Sequence, residues 1–466
     1  MIPSRWSPID LDGFVPLIFS LSQLARQYIA LAIPTVLSAL VYTTYSIIDG
    51  IFIGRYVGAD GLAALNLAVP LLYVPYAISM MVGVGAATLI ARMLGERRRD
   101  DAQRVFAWAI LAIVGLGVTF TVMLLIALPV LPALLGAPAS LQSLFNEFLL
   151  NYAPFAVFAS ALYAFELTLR AEGPAAARFG LLAMCIGAVA NVALDFLFMA
   201  HWGWGMQGAA LATGIAMMAS SSTMLAYHFR YARQVRPLWR GMMQMRCLGL
   251  MLYNGSSEFL AALAPAVVVI AFNRVIALHM GEAGLAAYAV LEYITLAASV
   301  VMIALVQSMQ PLVSFHRGAG NTVIMRQALR LATGAVGVMA LVAAAATWFL
   351  AETLTFVFLP QGAATWAILQ SAVIWYGLAF IPAGLNLLAA GYLTAIERPI
   401  PSAVIAVLRS WVLLLATLWA LTATWGSAGI WYAFLSTEIL TLAVSAILMW
   451  QLLRADRPSS SSPVRG

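Results

Sequence analysis

The chain has 466 residues, 63% of them hydrophobic and only 9% charged, with a net charge of +6 and a mean hydropathy of +0.95. So much apolar surface exceeds what a soluble core buries, which excludes a water-soluble globular domain and makes this an integral membrane protein. All 24 basic residues are arginine and they are dispersed over separate loops, so the positive balance is topological and nucleic acid is not an expected partner.

Residues 1–26 carry no basic stretch leading into an apolar run with a small-residue cleavage site, so no removable signal peptide is expected. Six apolar stretches follow at about 27–53, 63–91, 104–128, 144–171, 175–200 and 206–229, and then a polar connection over 231–247. Six more run at about 248–277, 285–315, 327–350, 366–394, 401–423 and 429–453. A helix of about 20 apolar residues crosses the hydrocarbon with every backbone group paired internally, so each stretch is a predicted transmembrane helix. The expected organisation is all-α: a cytoplasmic segment 1–26, a first six-helix lobe over 27–230, the linker 231–247, a second six-helix lobe over 248–454 and a disordered Ser/Pro-rich tail over 455–466. Cys185 and Cys247 lie far apart and offer neither metal spacing nor a disulfide framework.

The two lobes read as one unit written twice. Gly58-Ala-Asp-Gly-Leu-Ala-Ala64 returns 223 positions later as Gly281-Glu-Ala-Gly-Leu-Ala-Ala287. The same offset relates Gly95 to Gly318, and nearly the same offset relates Pro174 to Pro399 and Trp204 to Trp425. Six spans per copy bring both copies into the bilayer from one side, a parallel repeat about an axis along the membrane normal. Arginines occupy the even-numbered loops (Arg97, Arg98, Arg99, Arg170, Arg178, Arg317, Arg398) and the central connection (Arg233, Arg236, Arg240), with only Arg55 and Arg274 near the opposite side. The positive-inside rule then places both termini and the central loop in the cytoplasm.

An ionisable group within a span costs at least about 2.5 kcal/mol at the helix centre, so each one calls for a role. Asp49, Glu166, Asp195, Glu258, Glu292 and Glu438 stand there. Asp49 and Asp195 both fall about five residues below the outer ends of their helices, Asn191 lies one turn deeper than Asp195 on the same face, and Thr213 descends from outside to a comparable level. Two carboxylates, an amide and a hydroxyl at one depth suit a hard monovalent cation such as Na+, and two close carboxylates resist double ionisation and would share a proton. The competing structural roles are a helix-end cap at Asp49 and an ion pair from Asp195 to a distant arginine. Pro34 removes a backbone hydrogen bond from the middle of span one and gives it a place to bend, as a fixed kink or a moving hinge. Glu258, Glu292 and Glu438 are second-lobe candidates for substrate or cation, while Glu166 reads as an i, i+4 partner of Arg170. Tyr42, Tyr45, Met80, Met81, Met184, Trp375 and Tyr376 offer surface for apolar cations but also fill any helical bundle. His201, His228, His279 and His316 fall near loops or helix ends with no nucleophile and base pair, so no enzymatic activity is expected.

Ile48-Asp49-Gly50-Ile51-Phe52-Ile53-Gly54, Asn191-x-x-x-Asp195, Gln310-Pro311-Leu312-Val313-Ser314-Phe315 and Gly429-Ile430-Trp431-Tyr432 resemble the multidrug and toxic compound extrusion (MATE) transporters over nearly the whole chain, and within them the DinF-like and MepA-like bacterial members. The resemblance implies two lobes set as a V around a central cavity in the bacterial inner membrane. It implies a monomer that exports small organic cations in exchange for inward H+ or Na+, with no cofactor beyond that ion. The family's coupling site maps onto Asp49, Asn191, Asp195 and Thr213, with the bend at Pro34. Its other branch adds an acid in span ten to one in span seven. This chain has no acid between 366 and 394, so that second site is not expected. The alternative is a lipid-linked oligosaccharide flippase of the same superfamily, whose cationic cavity contrasts with the acidic buried charges read here.

Overall fold

The computed structural model describes residues 21–241, 245–358 and 363–455, and these are helical apart from short connections. The terminal segment before residue 21, the tail beyond 455 with Arg457 and Arg465, and 242–244 of the central linker lie outside the described residues. The first half comprises α1 (Leu21–Tyr56), α2 (Ala59–Gly95), α3 (Arg99–Ala127), a short α4 (Leu131–Leu134), α5 (Ala139–Tyr152), α6 (Ala156–Glu172), α7 (Pro174–Asp195) and α8 (Gly205–Arg230). The second half comprises α9 (Met245–Gly318), α10 (Thr322–Phe358), α11 (Ala363–Ala395), α12 (Pro399–Val407), α13 (Leu413–Trp425) and α14 (Ser427–Ala455). A 3-10 turn at Ala153–Phe155 joins α5 to α6 into one crossing, and wider π turns at Phe196–His201 and Leu408–Val412 extend α7 and join α12 to α13.

Among the described residues eleven helical stretches are long and apolar enough to cross a membrane, and one of them, Met245–Gly318, is 74 residues long. At about 1.5 Å per residue it is far longer than the bilayer is thick, and it breaks at Gly281, where φ is 59° and ψ is −151°. Divided there it supplies two crossings, giving twelve. Gly58, the matching residue of the first copy, has φ 94° and separates α1 from α2. Only glycine takes such angles without a Cβ clash. Three residues on, a Cβ on Gly61 would lie 2.6 Å from Val57, and one on Gly284 would lie 2.3 Å from Met280, again at matched positions. The repeated motif is therefore a helix corner, made twice from the same glycines.

The cores cross over between the halves. One core gathers first-half residues such as Phe106, Phe145 and Ile53, and also takes in Met251 from the start of α9. A second gathers residues such as Met302, Val336 and Phe380, and takes in Leu24, Tyr28 and Ala32 from the start of α1. Tyr28 and Met251 are themselves 223 positions apart, and the Tyr28 hydroxyl donates to the Leu305 carbonyl at 3.1 Å. Each half thus buries the beginning of its first helix in the other half.

Close backbone contact holds the arginine-rich ends of α2 and α9 together. A Cβ on Gly95 would lie 2.0 Å from the Phe315 carbonyl oxygen, and one on Gly318 would lie 2.0 Å from that of Arg92, the residue matched to Phe315. Gly85 and Gly255 face the carbonyls of Met251 and Met81 at 2.1 and 1.8 Å on the same measure. Arg92 Nη1 bridges to Glu397 Oε2 at 3.0 Å, and Arg170 Nη1 donates to Gln307 at 2.8 Å. Burial holds the Glu397 carboxyl above the ordinary glutamate range, with Arg92 and Arg317 pulling the other way. Acidification therefore uncharges Glu397 earlier than a surface glutamate, and the bridge to Arg92 fails from the acid side.

Valine at Gly95 or Gly318 is predicted to force these ends apart, whereas valine at Gly115, where a Cβ meets nothing within 4 Å, leaves them packed. With Cys185 and Cys247 replaced by serine, a Met251→Cys reporter buried in the closed arrangement becomes alkylated faster in the first two variants and not in the third. Equal rates in all three would disprove the glycine contact as the closure.

Candidate cation-coupling site

Pro34 sits in the buried stretch of α1 where the helix passes from one core to the other. Leu24, Tyr28 and Ala32 before it belong to the second-half core, while Ile53 and the flanking Tyr42 and Phe52 after it belong to the first. Lacking an N–H, Pro34 leaves the Ala30 carbonyl without its helical partner, and Thr35 Oγ1 turns back onto the Leu31 carbonyl at 2.8 Å. The weakest point of the α1 ladder thus lies where its two ends are held by different bodies.

Above it α1 packs on α7 and α8. Asp195 is the last residue of α7, fully buried, and the π turn that follows carries the chain away from it. Asn191, one turn earlier, is also fully buried, and Thr213 enters from α8. Asp49 comes within electrostatic reach of Asp195 and of the Thr213 hydroxyl, with Tyr45 one turn along α1. Two carboxylates, an amide and a hydroxyl thus converge from α1, α7 and α8. Asp49 Oδ1, both Asp195 oxygens, both amide atoms of Asn191 and Thr213 Oγ1 are enclosed and unpartnered. An unsatisfied buried polar atom costs about 1–3 kcal/mol, so this concentration of them marks the place as a candidate site. The donor set is oxygen-rich and anionic, which fits a hard cation or a shared proton. Among the described residues no three His, Cys, Asp or Glu side chains gather as a metal centre, so an ion here would need the Asn191 and Thr213 oxygens beside the two carboxylates.

Tyrosines lead away from this cluster. The Tyr42 ring lies 5.0 Å from Tyr45 and 5.2 Å from Tyr163, and Tyr163 lies 5.1 Å from Tyr76, each edge to face. Tyr163 and Tyr76 escaped the sequence reading because nothing in a single span distinguishes them from core. Met184 and Met80, offered there as adaptable surface, are 1% and 4% exposed and belong to the packed cores.

The remaining acids separate into distinct roles. Glu166 pairs with Arg170 at 2.8 Å, as its spacing predicts, with both side chains 4% exposed. Glu258 is half-buried beside Gln310 and Thr394, and Glu292 lies beside Tyr288 within reach of Tyr73 and Tyr376. Glu438 is engaged on both oxygens: Arg409 Nε meets Oε1 at 2.5 Å, and Asn386 Nδ2 meets Oε2 at 2.8 Å. Glu438 is therefore not a free second-lobe acid, because Arg409 pairs with it. The pair's signal in the sequence is an arginine inside the apolar stretch Pro399–Trp425, an exception to the placement of the arginines in loops.

The MatE family model matches residues 34–197 and 259–419, two segments set apart by the spacing of the internal repeat. They cover more than half of the chain, and the chain belongs to this family of membrane transporters, which are not enzymes. Multidrug export protein MepA of Staphylococcus aureus (strain MRSA252) is 22% identical over 443 residues, 94% of this chain and 95% of that protein. MepA of Staphylococcus saprophyticus is 26% identical over 215 residues, 46% and 47% of the two chains. Among solved structures, an outward-facing multidrug resistance MATE transporter of the MOP superfamily superposes with a TM-score of 0.87 at 22% identity, covering 94% of this chain and 97% of that one. The Vibrio cholerae MATE transporter VcmN in its bent form gives 0.84 at 22% identity, covering 93% and 98%.

Two outcomes follow from the geometry. Arg409→Met strands the enclosed Glu438 charge and lowers stability by about 3 kcal/mol, read as a fall in Tm in detergent that Glu438→Met added to it largely reverses. Pro34→Ala restores the α1 ladder, so Tm holds or rises while turnover falls; unchanged turnover would remove Pro34 from the working cycle.

Proposed function

We propose that this protein exports small organic cations across the bacterial cytoplasmic membrane, as a monomer, in exchange for inward H+ or Na+ bound at Asp49 and Asp195. The arginine-rich end faces the cytoplasm and the carboxylates lie in the outer half of a first lobe over 27–230, opposite a second lobe over 248–454. What carries this reading is the convergence of unpartnered oxygens from Asp49, Asn191, Asp195 and Thr213 in a buried place.

A cation arriving from outside supplies the missing partner for these oxygens and removes their mutual repulsion. α1 can then draw toward α7 only by yielding at Pro34, because its first turns are fixed in the other core. That movement narrows the first-lobe space beside the tyrosines and expels a bound organic cation outward. Opening of the glycine contacts between α2 and α9 then exposes the site to the cytoplasm, where the coupling ion leaves and substrate binds. Substrate and coupling cation compete for the same negative charge, which is the simplest basis for exchange.

In proteoliposomes with an imposed H+ or Na+ gradient, Asp49→Asn and Asp195→Asn should each cut export of a fluorescent organic cation by roughly tenfold or more. Imposing the two gradients separately names the coupling ion. Variants that export at the parent rate would refute coupling at these carboxylates. The flippase alternative gains nothing from Arg409, whose charge Glu438 balances where a diphosphate would need excess positive charge.

A further inference from the structure

The exchange just described makes no use of Arg409. It stands about 15 Å along the helix axis from the start of α12 at Pro399, and Glu438 lies about 16 Å along α14 from Ser427, so the pair meets near the middle of the bilayer. Lipid cannot solvate a charge at that depth, so the guanidinium must look into protein or water-filled space.

The two members of the pair are unequally satisfied. Glu438 is 1% exposed with one oxygen on Arg409 and the other on Asn386, whose own oxygen accepts from Ser445 at 2.8 Å. Its carboxylate is fully committed. Arginine carries five donors, yet among the described residues no residue other than Glu438 accepts a hydrogen bond from Arg409, and 22% of its side chain is open. Two buried indole donors of the second half, Trp411 Nε1 and Trp431 Nε1, also lack partners. Trp411 stands two residues past Arg409, and Trp431 lies two turns from Glu438 on the same face of α14. The indole can only donate. With the open guanidinium nitrogens of Arg409 these groups are all donors, and they call for an anionic or carbonyl oxygen.

Packing does not require charge here. At the repeat-matched positions the first half has Met184 for Arg409, Met217 for Glu438 and Tyr163 for Asn386, and both methionines are buried. An apolar pair closes this place in one lobe, so the ion pair in the other answers some need besides filling space.

We infer that Arg409 is a specificity-determining residue that receives the carboxylate of zwitterionic substrates, whose cationic end is held by the acidic first lobe. Glu438 and Asn386 position the guanidinium and hold the resting site neutral, so a purely cationic substrate is not repelled. A carboxylate gains a charge-assisted contact with the open donors. This inference rests on the export reading for its role in transport but can be tested by binding alone.

The probes are rhodamine B, with a free carboxylate, and its ethyl ester, measured by fluorescence anisotropy on purified full-length protein. The double variant R409M/E438M copies the first-half residues and removes no charge without its partner. It should bind rhodamine B roughly tenfold more weakly than the parent and the ester within about twofold of it. Arg409→Lys keeps the pair but loses the planar fork, and should weaken only the acid as well. Equal loss for acid and ester would mark the pair as a brace and overturn the inference, as would unchanged acid binding or a parent that binds neither dye. Export of the ester in proteoliposomes is scored separately: failure there counts against the export reading, whereas a selective loss of acid binding would still stand for Arg409.

Discussion

Hydrocarbon offers no partner to a polar atom, and the whole architecture follows from that. It forces the backbone into helices that pair their own amides, and it forces each charge within the span to find a counter-charge or a reason to go without. Glu166 with Arg170, and Glu438 with Arg409, meet the demand by pairing. Asp49, Asn191, Asp195 and Thr213 do not, and their shared deficit is what supports the coupling site proposed for them. A protein that must hold an ion only part of the time cannot satisfy those oxygens from its own side chains, because a permanent internal partner would exclude the transient one.

The same demand explains which parts of the structure were legible in the sequence. Helix number and most boundaries follow from long apolar stretches, so the twelve crossings agree with the expectation even though two of them run on through Gly281 as one continuous helical stretch. Proximity of Asp49, Asp195 and Thr213 followed from depth, since topology and rise per residue fix how far each lies from the surface. Depth carries no information about azimuth. Nothing in the spacing said that Glu438 would turn toward α12 rather than toward the cavity, and a search for acids alone passed over the arginine that claims it. The tyrosine row from Tyr42 through Tyr163 to Tyr76 was equally hidden, because it is assembled from three helices that contribute one or two rings each.

The internal repeat is most informative at the level of contacts. Gly95 and Gly318, Arg92 and Phe315, Tyr28 and Met251 all sit at one offset, and each pair performs reciprocal duties across the boundary between the halves. Structural residues keep the symmetry while chemical ones break it. The acidic cluster has no counterpart at the matched positions of the second half, and Arg409 has none at its matched position in the first, where Met184 stands. A pseudo-symmetric frame can rock between two related shapes at little cost in packing, and in the exchange proposed above the asymmetric charges are what would make a ligand favour one of them.

The exchanged beginnings of α1 and α9 bear on how such a chain arose. A single half standing alone would have Tyr28 or its counterpart projecting from a helix with no core to receive it, and the receiving core would lack a side chain. Two identical halves lying parallel in one membrane would supply each other's missing piece through a reciprocal exchange of first helices. The arrangement is that of a swapped homodimer, and it needs no rearrangement of contacts to become one polypeptide, only a linker such as the one after α8. In one polypeptide the two copies are distinct, so each can carry charges that its twin does not share.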